Sequence, residues 1–256
     1  MHTGICNLSV IPLRAANSHR SEMVSQVLFA EQFEILEEAH EWVRVRLFDT
    51  GYEGWLQQGQ FSLLTGISDE LVESENIRII DIMGGTATNG KKKVVLFPGT
   101  KIPESLLKRT HPAFPYQIVG DFRMPKIEDF TSQFNRLVDY YHNSPYLWGG
   151  RTQAGVDCSG LSQIIYSYFG VSLPRDAYQQ AEGGKRIAVL AEIRPGDLAF
   201  FDNEEGRIVH VGLMIDTETI FHASANVRID KMDTEGIFNK ELNRYTHKLR
   251  MVKRYW

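Results

Sequence analysis

The spacing of apolar residues changes near residue 125, and this change constrains the fold more than any other feature of the chain. In residues 42–47, valine and leucine alternate with tryptophan and arginine, which is the period of a half-buried strand. After residue 125, Phe130, Phe134, Leu137 and Tyr141 recur at helical spacing instead. The pattern predicts small β domains at the front and a last domain that opens with a helix.

Turn signals divide the front half. The segment Asp-Thr-Gly-Tyr-Glu-Gly at 49–54 follows the alternating strand, and a second β-like stretch begins at 77–80 with turn signals at Gly84-Gly85 and Asn89-Gly90. Prolines at 98, 103, 112, 115 and 125 disfavour long helices and place a linker there. The predicted domains are residues 1–66, a first small β barrel, residues 67–124, a second β unit with the linker, and residues 125–256.

The last domain combines helices and antiparallel strands. A second helix is predicted from Leu161, Ile164, Ile165 and Tyr168, and it ends at Gly170. Strand-like segments follow at 197–201, 208–215, 219–223 and 249–255. This order of elements predicts an α+β fold.

Charge and hydropathy exclude several function classes. The chain has 28 Lys and Arg against 32 Asp and Glu, a net charge of -4, so nothing favours nucleic acid as a partner. No apolar run is long enough to enter a membrane, and no signal peptide is visible at the start. We therefore expect a cytoplasmic protein, or a cell-envelope protein if a leader has been removed. The sequence does not indicate an oligomeric state.

Cys158 is one of only two cysteines, too few for a disulfide framework. It lies where a turn becomes a helix, and the positive end of the helix dipole favours a thiolate there. The alternative is a buried cysteine that acts as a small apolar residue. The small and polar neighbours Asp157, Ser159 and Gly160 favour a reactive thiol.

A thiolate nucleophile needs a base, and His210 and His222 lie in apolar strand-like segments. If those strands form a hairpin centred on Asp216, the two side chains face each other and match a base and the residue that orients it. A metal site made of Cys158, His210 and His222 is the alternative, although zinc sites usually draw two ligands from one short motif. The other histidines are expected at the surface: His2, His19, His40, His111, His142 and His247.

These residues resemble the NlpC-type peptidases, papain-like cysteine peptidases of bacterial cell-wall metabolism. The resemblance rests on Tyr146-Leu147-Trp148-Gly149-Gly150, Asp157-Cys158-Ser159-Gly160-Leu161, Leu173-Pro174-Arg175-Asp176, Arg194-Pro195-Gly196-Asp197, His210-Val211-Gly212 and Phe221-His222-Ala223. It implies a papain-like fold over roughly 125–256, with Cys158 as nucleophile, His210 as base and His222 as orienting residue. It implies no metal or organic cofactor.

The front half resembles bacterial SH3-like domains, with Gly51-Tyr52-Glu53-Gly54-Trp55-Leu56 as the recognisable piece. Two such modules before the peptidase resemble the arrangement of γ-D-glutamyl-L-diamino acid endopeptidases. These release L-Ala-D-Glu from murein-derived peptides that have a free N-terminal L-Ala, because the first SH3-like domain closes one end of the cleft. The resemblance implies murein peptide recycling.

The same resemblance implies roles for further residues. Tyr146 is expected to bind the oxyanion or to pack in the cleft, and Trp148 to pack there. The expected substrate-binding residues are Asp157, Ser159, Arg175 and Asp176, with Asp176 as the end-stop for the free amine, and Glu22 and Tyr52 from the front domain, with Glu31 as a substitute for Glu22. A helix cap is the alternative role for Asp157, and solvated loop positions are the alternative for the front-domain residues.

Other functions remain compatible with the sequence. The same triad can act as an endopeptidase on intact or glycan-linked wall peptide. A non-catalytic wall-binding protein with an unreactive Cys158 is the alternative from a different class. A papain-like acyltransferase is a third alternative.

Overall fold

The computed structural model describes residues 2–64, 76–108 and 111–256. It divides into two compact units, Met1–Pro125 and Lys126–Trp256. The predicted boundary between the two front β units, at residues 66 and 67, lies outside the described residues. The division of the front half into two domains therefore stays a prediction.

The first unit opens with a seven-stranded antiparallel sheet in the order β3-β2-β6-β5-β4-β1-β7. Its strands are β1 (His2–Cys6), β2 (Val10–Arg14), β3 (Met23–Leu28), β4 (Gln32–Ala39), β5 (Trp42–Leu47), β6 (Glu53–Gln57) and β7 (Phe61–Leu64). Val43, Val45 and Leu47 are buried while Arg44 and Arg46 are exposed, so the alternating pattern of β5 is confirmed. The buried side chains form one core with Phe33 and Leu56.

The second sheet of this unit is built around one long strand. It contains β8 (Ile77–Thr88), β9 (Lys93–Leu96), β10 (Lys101–Pro103) and β11 (Gln117–Arg123), and a short helix, α1 (Glu104–Lys108), lies between the last two. The predicted turn at Gly84-Gly85 is wrong, because both glycines lie within β8. Gly84 has a φ of 72° and Gly85 pairs with Leu96 and Gly120, so the strand continues past this point. Asn89-Gly90 does form the turn, since Asn89 Oδ1 accepts the backbone N–H groups of residues 91 and 92.

The two front sheets share a hydrophobic core. Phe29, which follows β3, packs on Phe114 and Tyr116 with ring centroids 5.1 and 5.3 Å apart. Ile5 and Ile80 belong to the same buried cluster. The two sheets therefore share this cluster, while the first sheet also keeps its own core around Phe33.

The second unit contains three longer helices and a sheet that closes on itself. The elements are α2 (Phe130–Tyr141), β12 (Arg151–Thr152), β13 (Gly155–Val156), α3 (Cys158–Ser167), α4 (Ala177–Glu182), β14 (Lys185–Ile187), β15 (Leu198–Asp202), β16 (Ile208–Met214), β17 (Thr219–Ser224), β18 (Asn226–Met232), β19 (Gly236–Asn239) and β20 (Arg244–Arg254). The sheet order is β14-β20-β15-β16-β17-β18-β19, and β19 also pairs with β20. Strands β15 to β20 therefore form a closed barrel.

Both predicted helices of this unit are confirmed. The apolar stripe of α2 is buried, and Phe130 packs on Phe169 with ring centroids 4.4 Å apart. Every residue of α3 is buried, and the helix packs against β16 and β17. Helices beside an antiparallel barrel confirm the α+β class.

Among the residues that the structure describes, no helix has the length and apolar character needed to span a membrane.

Candidate active site

Cys158 is the first residue of α3. Asp157, immediately before it, has an extended backbone and caps the helix, because its Oδ1 accepts the Gly160 N–H at 2.7 Å. A Cβ on Gly160 would lie 2.2 Å from the Gly150 carbonyl oxygen, so only glycine fits against that loop. The absence of a side chain at Gly160 thus lets the loop at Gly150 pack against the start of the helix, where the thiol lies.

The thiol of Cys158 is buried against strand β16. Its sulfur accepts the backbone N–H groups of Ser159 and of Val211, the residue after His210. Burial, followed by the nearby Asp157 carboxylate, raises the pKa of the Cys158 thiol to about 11, although both N–H groups and Arg175 act in the opposite direction. The backbone N–H of Ser159 at the helix start lowers the pKa of the thiol, as expected, but desolvation acts more strongly in the opposite direction.

His210 and His222 come together as predicted, but through a different register. The pairs Leu213↔Phe221 and Met214↔Ile220 centre the hairpin on residue 217, not on Asp216. His222 is therefore opposite Gly212, and His210 is its diagonal neighbour on the same face of the sheet. Their rings still meet, with His210 Nε2 and His222 Nδ1 2.9 Å apart.

Gly212 is what allows this contact. A Cβ at this position would lie 2.8 Å from His222 Cβ and 2.7 Å from Ile220 Cδ1. His222 Cβ and the Ile220 side chain therefore occupy space that the Cβ of any other residue at position 212 would take.

Sequence analysis missed the next two residues of this network. His222 Nε2 lies 3.1 Å from Asp230 Oδ2, and Arg228 holds the same carboxylate through Nε at 2.7 Å and Nη2 at 3.0 Å. Arg228 and His222 keep the pKa of Asp230 below its usual value although burial opposes them. Charged and apolar residues alternate along Val227–Asp230, the two-residue period of a strand, and this was the signal available for β18.

The prediction that His247 lies at the surface is wrong. Its ring is partly buried and stacks on His210, with centroids 4.1 Å apart and planes inclined by 26°. Burial, and then the neighbouring His222, lowers the pKa of His247 to about 4. Burial also lowers the pKa of His210 well below its ordinary value, with His222 and His247 adding to the shift.

Burial thus raises the pKa of the Cys158 thiol and lowers that of His210, and both shifts favour the neutral form of each group. Because His210 Nε2 faces His222, the other ring nitrogen, Nδ1, is the atom left to accept the thiol proton. Such an arrangement suits transfer of the thiol proton to the imidazole as the sulfur attacks a carbonyl carbon.

Tyr146 lies close to the thiol. It is half-buried, and burial raises its pKa, with the Cys158 and Asp157 charges as further causes. Its main chain is tied to Val156 by a bridge and to the Ala225 carbonyl by a 3.2 Å hydrogen bond. The phenol therefore stays a neutral donor, as the predicted oxyanion role requires. Trp148 is 58% exposed, and its packing in the cleft or contact with substrate stays a prediction.

Arg175 is buried and bound within the chain. Its Nη1 donates to Ser159 Oγ at 2.7 Å and to Asp157 Oδ1 at 3.2 Å, and its Nη2 donates to Asp157 Oδ2. Gly149 N–H donates to the same carboxylate at 2.8 Å. Asp157 thus fills the capping role that sequence analysis considered as its alternative, and contact with substrate stays a prediction for all three residues.

The proposed end-stop residue Asp176 is partly exposed at the start of α4. It forms a capping box with Gln179, whose Oε1 accepts the Asp176 N–H at 3.1 Å. Its role toward a substrate amine stays a prediction.

The three front-domain candidates lie in the first unit. Glu22 is exposed, Tyr52 packs at the margin of the core around Phe33, and Glu31 Oε2 accepts the Leu28 N–H at 2.9 Å. Glu31 therefore stabilises the turn after β3 in its own sheet. Contact between these residues and a substrate stays a prediction.

Comparison with known proteins matches both parts of the chain. The NlpC/P60 family model matches residues 143–247, and the model of the bacterial dipeptidyl-peptidase Sh3 domain matches residues 13–61. A γ-D-glutamyl-L-lysine dipeptidyl-peptidase of Bacillus subtilis is 31% identical over 241 residues, which covers 85% of this chain and 78% of the relative. The chain belongs to the NlpC/P60 family.

A second relative shares the same organisation. The γ-D-glutamyl-L-lysine dipeptidyl-peptidase of Bacillus cereus is 23% identical over 255 residues, 86% of this chain and 73% of the relative. A solved NlpC/P60 protein from the same species superposes with a TM-score of 0.78 at 18% identity and covers 99% of each chain, which shows a common fold. This NlpC/P60 protein is accordingly a cysteine peptidase of papain-like fold that acts on peptidoglycan, with a bacterial SH3-type domain in front.

Proposed function

We propose that this NlpC/P60 peptidase hydrolyses the bond between the γ-carboxyl of D-Glu and the following diamino acid, in peptides with a free N-terminal L-Ala. The product is L-Ala-D-Glu, which fits a role in murein peptide recycling. The observation that carries the proposal is the match over both domains to two relatives named γ-D-glutamyl-L-lysine dipeptidyl-peptidase. Relatives that share only the catalytic domain, such as the probable endopeptidase NlpC of Escherichia coli, align over 41% of this chain.

The positions of these side chains support a reaction in successive steps, which begins with attack by the thiol. Cys158 Sγ attacks the side-chain carbonyl carbon of D-Glu while its proton moves to His210 Nδ1. The resulting oxyanion accepts hydrogen bonds from the Cys158 backbone N–H, at the start of α3, and from the Tyr146 hydroxyl. Both donors lie at the thiol, and neither carries a charge that would need neutralising.

Collapse of this intermediate releases the diamino acid. His210, now an imidazolium, donates its proton to the departing amine, and the acyl group stays on sulfur as a thioester. His210 then takes a proton from water, which attacks the thioester and releases L-Ala-D-Glu. His222 holds the base in place throughout, since its Nδ1 remains hydrogen-bonded to His210 Nε2.

Two matched peptides test the proposal: L-Ala-γ-D-Glu-meso-diaminopimelate and its N-acetylated form, analysed by mass spectrometry. We expect cleavage of the free-amine peptide alone, with L-Ala-D-Glu as product, and no turnover by Cys158→Ala. Cleavage of both peptides would retain the peptidase and contradict the requirement for a free amine. Cleavage of neither would contradict the proposed bond.

The front-domain and end-stop residues are tested with the same pair of peptides. We expect Asp176→Asn, Glu22→Gln and Tyr52→Phe to raise KM for the free-amine peptide if these residues bind its ammonium. Lys93→Gln, an exposed residue on β9, is the matched control for the loss of a surface charge. Unchanged KM in all three variants would place the ammonium elsewhere.

A further inference from the structure

The catalytic histidines lie in a longer row of side chains that crosses three neighbouring strands. His210 is on β16, His222 on β17 and Asp230 on β18. Asp230 is paired with Ile220 and His222 with Arg228, so each member of the row is the diagonal neighbour of the next on one face of the sheet. The row ends in a carboxylate.

A carboxylate is the one group in this row whose hydrogen-bonding role is fixed. Arg228 binds it through two nitrogens, so Asp230 is ionised and only accepts hydrogen bonds. A neutral imidazole, in contrast, has one donor and one acceptor nitrogen and can exchange them. The carboxylate can therefore impose a direction on both rings.

The direction follows from the distances. Asp230 Oδ2 lies 3.1 Å from His222 Nε2 and can only accept, so a neutral His222 carries its proton on Nε2 and none on Nδ1. His222 Nδ1 then accepts from His210 Nε2 at 2.9 Å. His210 therefore carries its proton on Nε2, and its Nδ1 is an acceptor, as a base for the Cys158 thiol must be.

We propose that Asp230, held by Arg228, is a positioning residue that sets the tautomer of His222 and, through it, of His210. Nothing is transferred to Asp230, which keeps its charge in every step. The inference rests on the proposed roles of Cys158 and His210. It gives the third member of the row a role and supplies a reason for the Arg228–Asp230 pair.

The Arg228–Asp230 pair acts on the histidine rings more through their orientation than through its own net charge. Arg228 and Asp230 together are close to neutral, so their net effect on an imidazolium two rings away is small. The side chain of Asp230 is only 5% exposed and that of His222 only 1%, so the acceptor for His222 in the folded protein is the carboxylate and not bulk water. Without Asp230, Arg228, which is paired with His222 across the two strands, offers only donors, and a donor at His222 Nε2 favours the opposite tautomer.

The test compares Asp230→Ala, which removes the acceptor, with Asp230→Glu, which keeps a carboxylate. Glu241→Gln is the control, because Glu241 is the other carboxylate on Arg228, at 3.2 Å, and does not contact the histidines. Each protein is examined by long-range proton–nitrogen correlation spectra of its histidine rings, by kcat and KM on the free-amine peptide, and by thermal unfolding.

We expect wild type, Asp230→Glu and Glu241→Gln to show His210 and His222 with the proton on Nε2. In Asp230→Ala we expect the Nδ1–H form of both rings to appear and kcat to fall by about 10²-fold or more, with KM changed by less than about threefold. A purely structural role would lower the unfolding temperature and leave the ring tautomers unchanged.

Two results would overturn the inference: Nε2–H tautomers that persist in a folded Asp230→Ala, or a kcat equal to that of wild type. If Asp230→Ala does not fold, the spectra of Asp230→Glu test the inference instead. Loss of the Nε2–H form of His210 and His222 in that variant would contradict the role assigned to the carboxylate. If wild type shows these tautomers but does not cleave the peptide, the proposed substrate fails and the role of Asp230 stands.

Discussion

Gly212 on β16 and His222 on β17 are paired so closely that a methyl group on the glycine would lie 2.8 Å from the histidine Cβ. The neighbouring Ile220 would be closer still, at 2.7 Å. Since both strands lie inside a closed barrel, neither can move away without disturbing pairs on its other side.

We expect Gly212→Ala to displace His222 and to lower kcat by at least about tenfold, with a loss of about 1–3 kcal/mol in the free energy of unfolding. Gly206→Ala is a matched control: it has a φ of 77° and no atom within 4 Å of its Cβ, so it loses about 1–2 kcal/mol through backbone strain alone. Urea denaturation and peptide turnover measure both quantities. Equal kcat values in the two variants would contradict the steric role of Gly212.

The reactivity of Cys158 should report its raised pKa. With a pKa of about 11, only about one thiol in 10⁴ is ionised at pH 7, so alkylation of the free protein by iodoacetamide should be slow. We expect its rate to rise about tenfold per pH unit between pH 7 and 10. Cys6 is fully buried with a raised pKa, so Cys158→Ala should remain unmodified while folded. A rate that is already constant at pH 7 would indicate a thiolate–imidazolium pair instead.

Stability should fall in mild acid because of the buried histidines. The pKa values of His210 and His247 are lowered in the folded state, that of His247 to about 4, whereas the unfolded chain has the ordinary value of about 6.5. Below pH 6.5 the unfolded state therefore binds more protons, and the free energy of unfolding decreases as pH falls. For His247 this decrease ends near pH 4.

We expect His247→Gln to flatten that decrease between pH 6.5 and 4, as measured by urea denaturation at several pH values. His142→Gln, an exposed histidine beyond α2, should leave the slope unchanged. Identical slopes for wild type and His247→Gln would show that His247 is protonated in the folded protein.

The Arg175–Asp157 pair should be costly to break. Both side chains are buried, 3% and 6% exposed, and Asp157 also caps α3. Arg175→Met leaves a buried carboxylate without its cation, so we expect a loss of about 3–5 kcal/mol in the free energy of unfolding. Arg175→Lys should recover only part of this, because an ammonium cannot donate to Asp157 and Ser159 as a fork.

The exposed pair Arg207–Glu205 provides the control, with side chains 78% and 66% exposed. Arg207→Met should change stability by less than about 0.5 kcal/mol. Chemical denaturation of the three variants measures the difference. A loss below about 1 kcal/mol in Arg175→Met would mean that other donors stabilise Asp157.

Local signals in the sequence were sufficient for helices α2 and α3 and for bringing His210 and His222 together, whereas the short helices α1 and α4 were not predicted. Cys158 follows a capping residue, and His210 and His222 lie in strands that periodicity alone identifies. The hairpin register was wrong, because it depends on the turn: Ile215 N–H bonds the Thr219 carbonyl and moves the centre to residue 217.

The remaining site residues depend on closure of the barrel, which no local pattern encodes. β20 lies between β15 and β19, and this placement brings His247 onto His210 despite the polar neighbours Thr246 and Lys248. Asp230 joins the site for the same reason, since its role appears only when β18 is placed beside β17.

The aromatic cluster of Phe29, Phe114 and Tyr116 has a consequence for how this architecture can be inherited. Residues from both front sheets form one buried cluster, separate from the core around Phe33, and Tyr116 also donates its hydroxyl to the Asn7 carbonyl at 3.3 Å. Excision of the second sheet would leave Ile5 and Phe29 facing water. A gene fusion that joins this front region to another enzyme must therefore include both sheets, because they fold as one unit.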